Sequence, residues 1–348
     1  MSGDFAPRKG PEKSVPIDML QNVTRNQHFL SQVEQRLNAL NPQAKAANLR
    51  IYSFQLADRD AYKLILETPN GSPIGKNLSL FDLFSFDVAD NNDLRRNFET
   101  LFQKYEGNIE DLTKSLLAKL KAGNDDIKTE IIDLFAAKLL NFVRNPFSIA
   151  KVLNTFPGLA SYDPTNPVLL AEYRRIVSGR KPQQAHLCAQ LGISDAQYVE
   201  WLRLLFMLLT PMADGQPNFF EQIIKTLFED RKKYILVAVC DYDGDRCLLS
   251  DRGFCQAATD DGPHLSFSFN LCRNAFVDYI FTDLPAFAQG QAAPEVIART
   301  IASMERREQP VNVRFLRNDL DMLKRYNRRA VDQCHERVFC SAKDGLVF

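Results

Sequence analysis

No stretch of this chain reaches the roughly 18–20 consecutive apolar residues that a helix needs to cross a bilayer. Even the most apolar run, Trp201 to Met212, is interrupted by Arg203 and Pro211, so a soluble chain with no membrane partner is expected. The opening MSGDFAPRKGPEKSVP lacks the apolar segment of a secretory signal, and residues 1–20 are read as a flexible arm. Seven cysteines form no Cys-x-x-Cys pair, and an odd number in a chain of 348 residues argues against a secreted disulfide scaffold. Reduced thiols in a cytoplasm are the simpler expectation. Net charge is missing as well: Lys+Arg and Asp+Glu number 43 each, which removes the overall basic footprint of nucleic-acid binding and leaves only a local patch. P-loop, dinucleotide fingerprint, His-Glu-x-x-His and spaced Cys/His sets are absent. Asp241-Tyr242-Asp243-Gly244-Asp245 has neither the sixth-position glycine nor the later glutamate of an EF-hand in register and reads as a turn. No metal site is expected, and the residues name no cofactor, which stays unknown.

What is present is the patterning of a globular α+β chain. The periodicity predicts a short helix over His28–Leu40 and two strands, Leu49–Gln55 and Tyr62–Thr68. From Asp93 onward Leu94, Phe98, Leu101, Phe102, Tyr105, Ile109, Leu112 and Leu116 recur at three- and four-residue steps, predicting one long helix. A second runs from about Asp126 to Asn145-Pro146, where proline disfavours helical geometry in the residue before it. Further helices are predicted at Pro167–Ser178, Gln183–Gln190, Asp195–Leu209 and Asn218–Asp230. Short β runs follow at Tyr234–Cys240, Arg246–Ser250, Leu265–Leu271 and Phe276–Phe281, the first two joined by an Asp243-Gly244 hairpin turn. Helices at Pro294–Arg307 and Val313–Cys340 complete the reading. The expected architecture is α+β, mainly helical, with a large helical layer over about 93–230 and a small antiparallel sheet in the part over about 231–348. A single domain over residues 21–348 is preferred.

If the first helix forms as drawn, His28, Gln32 and Arg36 fall at i, i+4 and i+8 and share one face, where they either hold a ligand or form a solvated stripe. Two further islands carry polar chemistry: Ser250-Asp251-Arg252-Gly253 at the end of a strand, and Asn327 ahead of Val338-Phe339. The first segment resembles the opening signature of a large bacterial family of unknown function, roughly His-Tyr-Val-Pro-Gln-Phe-Tyr-Leu-Arg-Asn-Phe. His28, Gln32 and Arg36 stand at matching positions, Phe29 replaces the tyrosine, and Ile51-Tyr52 sits where the family's next strand does. Ser31 replaces the proline, Glu34 an aromatic residue and Asn38 the last phenylalanine. Ser250-Asp251 resembles the family's Ser-Asp-x-Pro signature, with Gly253 in place of proline, and Asn327 resembles its late asparagine. Some members sit among prophage and satellite genes that defend bacteria against phage, so the resemblance implies antiviral defence. It also implies a shared pocket, in which His28 and Asp251 are the candidate catalytic pair for acid–base or metal-assisted hydrolysis, with Gln32, Arg36, Ser250 and Asn327 as ligand-binding residues. The plainer account of Ser250-Asp251 is strand termination by satisfying backbone groups.

Arg329 and His335 resemble the Arg-x₄₋₆-His element of the HEPN ribonucleases, which implies a second candidate pair acting on RNA. The neighbouring run Lys324-Arg325-Tyr326-Asn327-Arg328-Arg329 is either a phosphate contact or a solvated face. Leu187–Ser194 followed by Tyr198 and Trp201 has the rhythm of a helix-turn-helix, although Asp195 and Glu200 occupy the helix face that would meet DNA. Three functions therefore stay open: a nucleic-acid hydrolase in phage defence, a non-enzymatic sensor that binds a phage or host protein, and a helix-turn-helix DNA-binding protein.

Overall fold

A computed structural model describes residues 17–89, 94–213, 215–244, 246–256, 262–289, 293–304 and 311–348. Of the expected arm, residues 1–16 lie outside the described residues, and Ile17–Leu20 form a 3-10 turn. In chain order the strands are β1 (Asn26–His28), β2 (Arg50–Asp58), β3 (Lys63–Leu66), β4 (Ser72–Pro73), β5 (Ser79–Phe81), β6 (Asp87–Val88), β7 (Arg95–Arg96), β8 (Lys233–Asp241), β9 (Leu249–Ser250), β10 (His264–Cys272), β11 (Ala275–Asp283), β12 (Val311–Arg317) and β13 (Arg337–Cys340). The helices are α1 (Gln32–Leu37), α2 (Glu99–Glu106), α3 (Ile109–Lys121), α4 (Lys128–Arg144), α5 (Ile149–Thr155), α6 (Pro167–Ser178), α7 (Gln184–Leu191), α8 (Asp195–Leu209), α9 (Phe219–Glu229), α10 (Leu284–Ala288), α11 (Pro294–Met304) and α12 (Leu320–Gln333).

These elements form two compact units, each gathered from separated segments. One unit takes residues up to Phe29, Ser79–Gly107 and Val143–Thr226. Its centre is α8, which buries Tyr198, Trp201, Leu202 and the whole run Leu204–Leu209. A capping box opens α8: the Ser194 hydroxyl accepts from the Gln197 amide while the Gln197 side chain accepts from the Ser194 N–H. Gly192, at φ 66°, closes α7 in the left-handed conformation that only glycine adopts cheaply. The indole of Trp201 donates to the Val143 carbonyl at 2.8 Å and the Tyr198 hydroxyl to that of Leu83 at 2.7 Å, so both aromatic residues are buried with their polar ends satisfied. Short ladders, β1 with β5 and β6 with β7, border the helices.

The other unit takes Leu30–Leu78, Asn108–Phe142 and Leu227–Phe348. It holds two sheets. A four-stranded sheet runs in the order β10-β11-β8-β12, antiparallel except that β12 lies parallel to β8. A five-stranded sheet runs β3-β2-β13-β9, with β4 also paired to β2. Phe135 of α4 meets Phe228 of α9 and Phe267, Phe269, Tyr279 and Phe281 on one face of the four-stranded sheet. On the opposite face Phe276 stacks on Tyr326 of α12 at 4.2 Å. Leu323, Ala330 and Val331 of α12 share that core with Cys240 of one sheet and Phe54 and Val338 of the other. Burial of such side chains contributes about 1.5–3 kcal/mol each, which is why α12 forms between the sheets despite its charged sequence.

The expectation of a mainly helical chain with one small antiparallel sheet is overturned by these sheets, one of them mixed. The predicted helix Val313–Cys340 divides into β12, α12 and β13, because Asn318 turns the chain at φ 55° and Asp319 caps α12 by accepting from the Asp321 and Met322 amides. Asp243-Gly244 does not make a hairpin: β8 and β9 belong to different sheets. The long helix predicted from Asp93, itself outside the described residues, is a short strand β7 followed by α2 and α3, which break at Gly107-Asn108. The Leu265–Leu271 and Phe276–Phe281 runs pair as β10 and β11. The expected helices at 167–178 and 195–209 appear with those bounds.

Candidate functional site

Helix α1 begins at Gln32, so His28 is not part of it: His28 lies on β1, paired with Ser79 of β5. The stripe of His28, Gln32 and Arg36 therefore does not form. His28 belongs to the first unit, whereas Gln32, Arg36, Ser250, Asp251, Asn327, Arg329 and His335 belong to the second. Gln32 is exposed and Arg36 half-buried, while the inward residues of this segment are Glu34, Gln35 and Asn38.

Ser250, Asp251 and Asn327 do come together, as a fastening. The Asp251 carboxylate accepts three backbone N–H groups, from His335 at 2.7 Å on Oδ1 and from Glu336 at 2.8 Å and Arg337 at 2.9 Å on Oδ2. Burial pushes its carboxyl above the usual range, against the pull of those amides. The Ser250 hydroxyl accepts from the Arg252 amide, and β9 pairs with β13 beside it. Gly253 sits at φ 74°, where a Cβ would stand 2.5 Å from Leu30 Cδ1, so glycine is required there. Asn327 is fully buried: its oxygen accepts from Leu248 N at 3.0 Å, and its amide donates to the carbonyls of Arg246 and Val347. His335 follows the C-cap Cys334 rather than lying on α12, and its Nε2 stands 3.7 Å from Glu336 Oε1. Arg329 points elsewhere, to Ser268 and Asp278, so the two residues do not form a helix-borne pair.

Two groups escape a reading of the sequence. The first is a buried polar network, in which Lys138 Nζ and the Asn141 amide each donate to Glu34 at 2.8 Å. Lys138 is 0 % and Glu34 1 % exposed. Asn38 donates to Asn270 at 2.7 Å in the same interior. The second lies on the four-stranded sheet. Strand register aligns Ser268, Asp278, Ala238 and Arg314 across β10, β11, β8 and β12, so all four share one face. From α12, the Arg329 guanidinium donates to Ser268 Oγ at 3.1 Å and reaches Asp278 Oδ2 at 3.4 Å. Asp278 is 5 % exposed, and burial raises its carboxyl above the ordinary value while Arg329, Ser268 and Arg325 pull it down. Its Oδ1 accepts no hydrogen bond among the described residues. The signal for this group was a lone aspartate in an apolar strand, facing the serine row of β10.

Beside this face α12 carries cations. Lys324, Arg325, Arg328 and Arg329 fall within an arc of about 140° at 100° per residue. Arg325 and Arg328 are exposed, Lys324 and Arg329 half-buried, and Arg314 of β12 is exposed. The Arg328 guanidinium lies 5.6 Å from the Tyr62 ring centroid. Asp321 and Asp332 flank the stretch and confine its positive charge to the middle of the helix. By contrast α8, the second helix of the helix-turn-helix rhythm, is the buried centre of its unit and exposes Asp195 and Glu200. No helix among the described residues is long and apolar enough to cross a membrane. Among them, no group of three or more His, Cys, Asp or Glu side chains is placed to hold a metal ion. Comparison with protein families, with curated proteins and with solved structures yields no match for this chain.

Proposed function

We propose that this chain is a nucleic-acid-binding component of antiviral defence that contacts phosphates through the basic face of α12. The observation that carries the binding half is the run of Lys324, Arg325, Arg328 and Arg329 on one helical arc. Counterion release from phosphates gives such a patch affinity even in a chain whose total charge is zero. The defence half rests on the sequence resemblance alone. Cleavage is no part of the proposal, because both oxygens of Asp251 are occupied by backbone amides that hold β13 in place.

Fluorescence anisotropy with labelled single-stranded and duplex oligonucleotides, titrated between roughly 50 and 200 mM salt, tests the reading. The variant K324A/R325A/R328A is expected to lose at least about tenfold in affinity and to flatten the slope of log K against log salt by about 2, at roughly 0.7–0.9 per phosphate contact. Undiminished binding in that variant, with an unchanged slope, refutes the assignment of α12. A plaque assay comparing cells that carry the wild type and the same variant tests the defence half.

A further inference from the structure

Independently of the α12 reading, we infer that the open edge of β12 docks an extended segment of a partner protein in which apolar and acidic residues alternate. The seven residues of β12 end the four-stranded sheet on one side, and among the described residues no backbone group outside β8 pairs with them. The opposite edge differs: Cys255 exchanges two backbone hydrogen bonds with Ser268 and closes part of β10. A strand edge left unpaired presents a row of N–H and C=O groups to which an incoming strand adds.

The side-chain rows of the sheet set what that strand carries. Phe267, Tyr279, Val237 and Val313 form one row across the four strands, and Phe269, Val277, Val239 and Phe315 the next. The first three members of each row are buried, whereas Val313 and Phe315 are only half-buried. Apolar side chains placed opposite these two continue both rows and remove the remaining apolar surface from water. Between them, on the other face, Arg314 is exposed and has no ion pair or hydrogen bond among the described residues. A Glu or Asp opposite it supplies the missing partner. Arg314 also discriminates against a second copy of this chain. Antiparallel pairing of two β12 strands centred on Val313, Arg314 or Phe315 puts the two Arg314 side chains directly opposite or diagonal to each other, an unfavourable like-charge contact.

A fluorescently labelled peptide, Val-Thr-Val-Glu-Val-Thr-Val on a flexible Gly-Ser tail, together with versions carrying Gln or Lys in place of Glu, provides the test. The Glu peptide is expected to bind the wild type at least about fivefold more tightly than the Lys peptide, with the Gln peptide between them. R314E, a change at an exposed side chain, is expected to reverse that order. Binding is also expected to slow hydrogen exchange in β12. A fully N-methylated Glu peptide keeps its charge but cannot donate from its backbone, and is expected not to bind. Equal binding of the Glu and Lys peptides, an unchanged order in R314E, binding of the N-methylated peptide, or no binding of the Glu peptide overturns the inference. So does a wild type that sediments as a dimer while β12 gains exchange protection with concentration, which assigns the edge to a second copy. Each of these overturning results leaves the α12 reading standing.

Discussion

Glutamate 99 gives the sharpest test of the energetics. It stands in the first turn of α2, half-buried, and its Oε1 accepts no hydrogen bond among the described residues. Burial raises its carboxyl from the ordinary 4.5 to about 7, with Arg144 opposing and Glu106 adding to the effect. In the unfolded chain the group titrates near its ordinary value. Between these pH values the folded chain keeps a proton that the unfolded chain has released, so stability is highest below 4.5 and is lost as pH rises through about 7. At about 1.4 kcal/mol per pH unit the ceiling is roughly 3 kcal/mol. Partial exposure screens the charge, and about 1–2 kcal/mol is the working expectation. Glu99→Gln removes the titration while keeping the shape. Trp201, the single tryptophan, is buried in the same unit as Glu99 and reports its unfolding by fluorescence. Urea titrations at pH 5 and pH 8 are expected to show E99Q gaining about 1–2 kcal/mol on the wild type between the two conditions. A difference between the proteins that does not change with pH refutes the argument.

Two further outcomes follow from the second unit. Asp251→Ala removes the acceptor for three backbone amides and is expected to cost about 2–4 kcal/mol in urea unfolding, well beyond an exposed substitution such as Asp332→Ala. Lys138→Met leaves the Glu34 carboxylate buried without its cation, an expected loss of about 3–5 kcal/mol, and adding Glu34→Gln is expected to recover a large part of it. A double-mutant cycle measures the coupling, and additive effects count against a paired role.

Much of the local structure was legible. Asn145-Pro146 marked the end of α4, Gly192 the turn before α8, and the alternation of Leu265, Phe267, Phe269 and Leu271 the strand β10. The architecture was not, and the reasons are specific. In β12 the apolar Val311, Val313 and Phe315 alternate with Asn312 and Arg314 on an edge strand that is nowhere fully buried, so its signal merged with that of the helix after it. His28 reads as helical in the sequence because nothing before the Ser31 N-cap announces a strand only three residues long. At the candidate site, Arg329 and the basic run of α12 were visible in the sequence. Asp278 and Ser268 were not, since their meeting depends on strand register, and Glu34 with Lys138 was missed because charged residues default to the surface.

Strand β13 lies in the interior of its sheet, between β2 and β9, yet it comprises residues Arg337–Cys340. During synthesis β2 leaves the ribosome nearly three hundred residues before the strand that covers one of its edges. Until then that edge offers unpaired backbone groups to any passing chain, the situation in which nascent proteins aggregate or recruit chaperones. A chain interrupted just before His335 keeps the residues of α12 but loses the three amides that occupy Asp251, together with the wedge that joins β2 to β9.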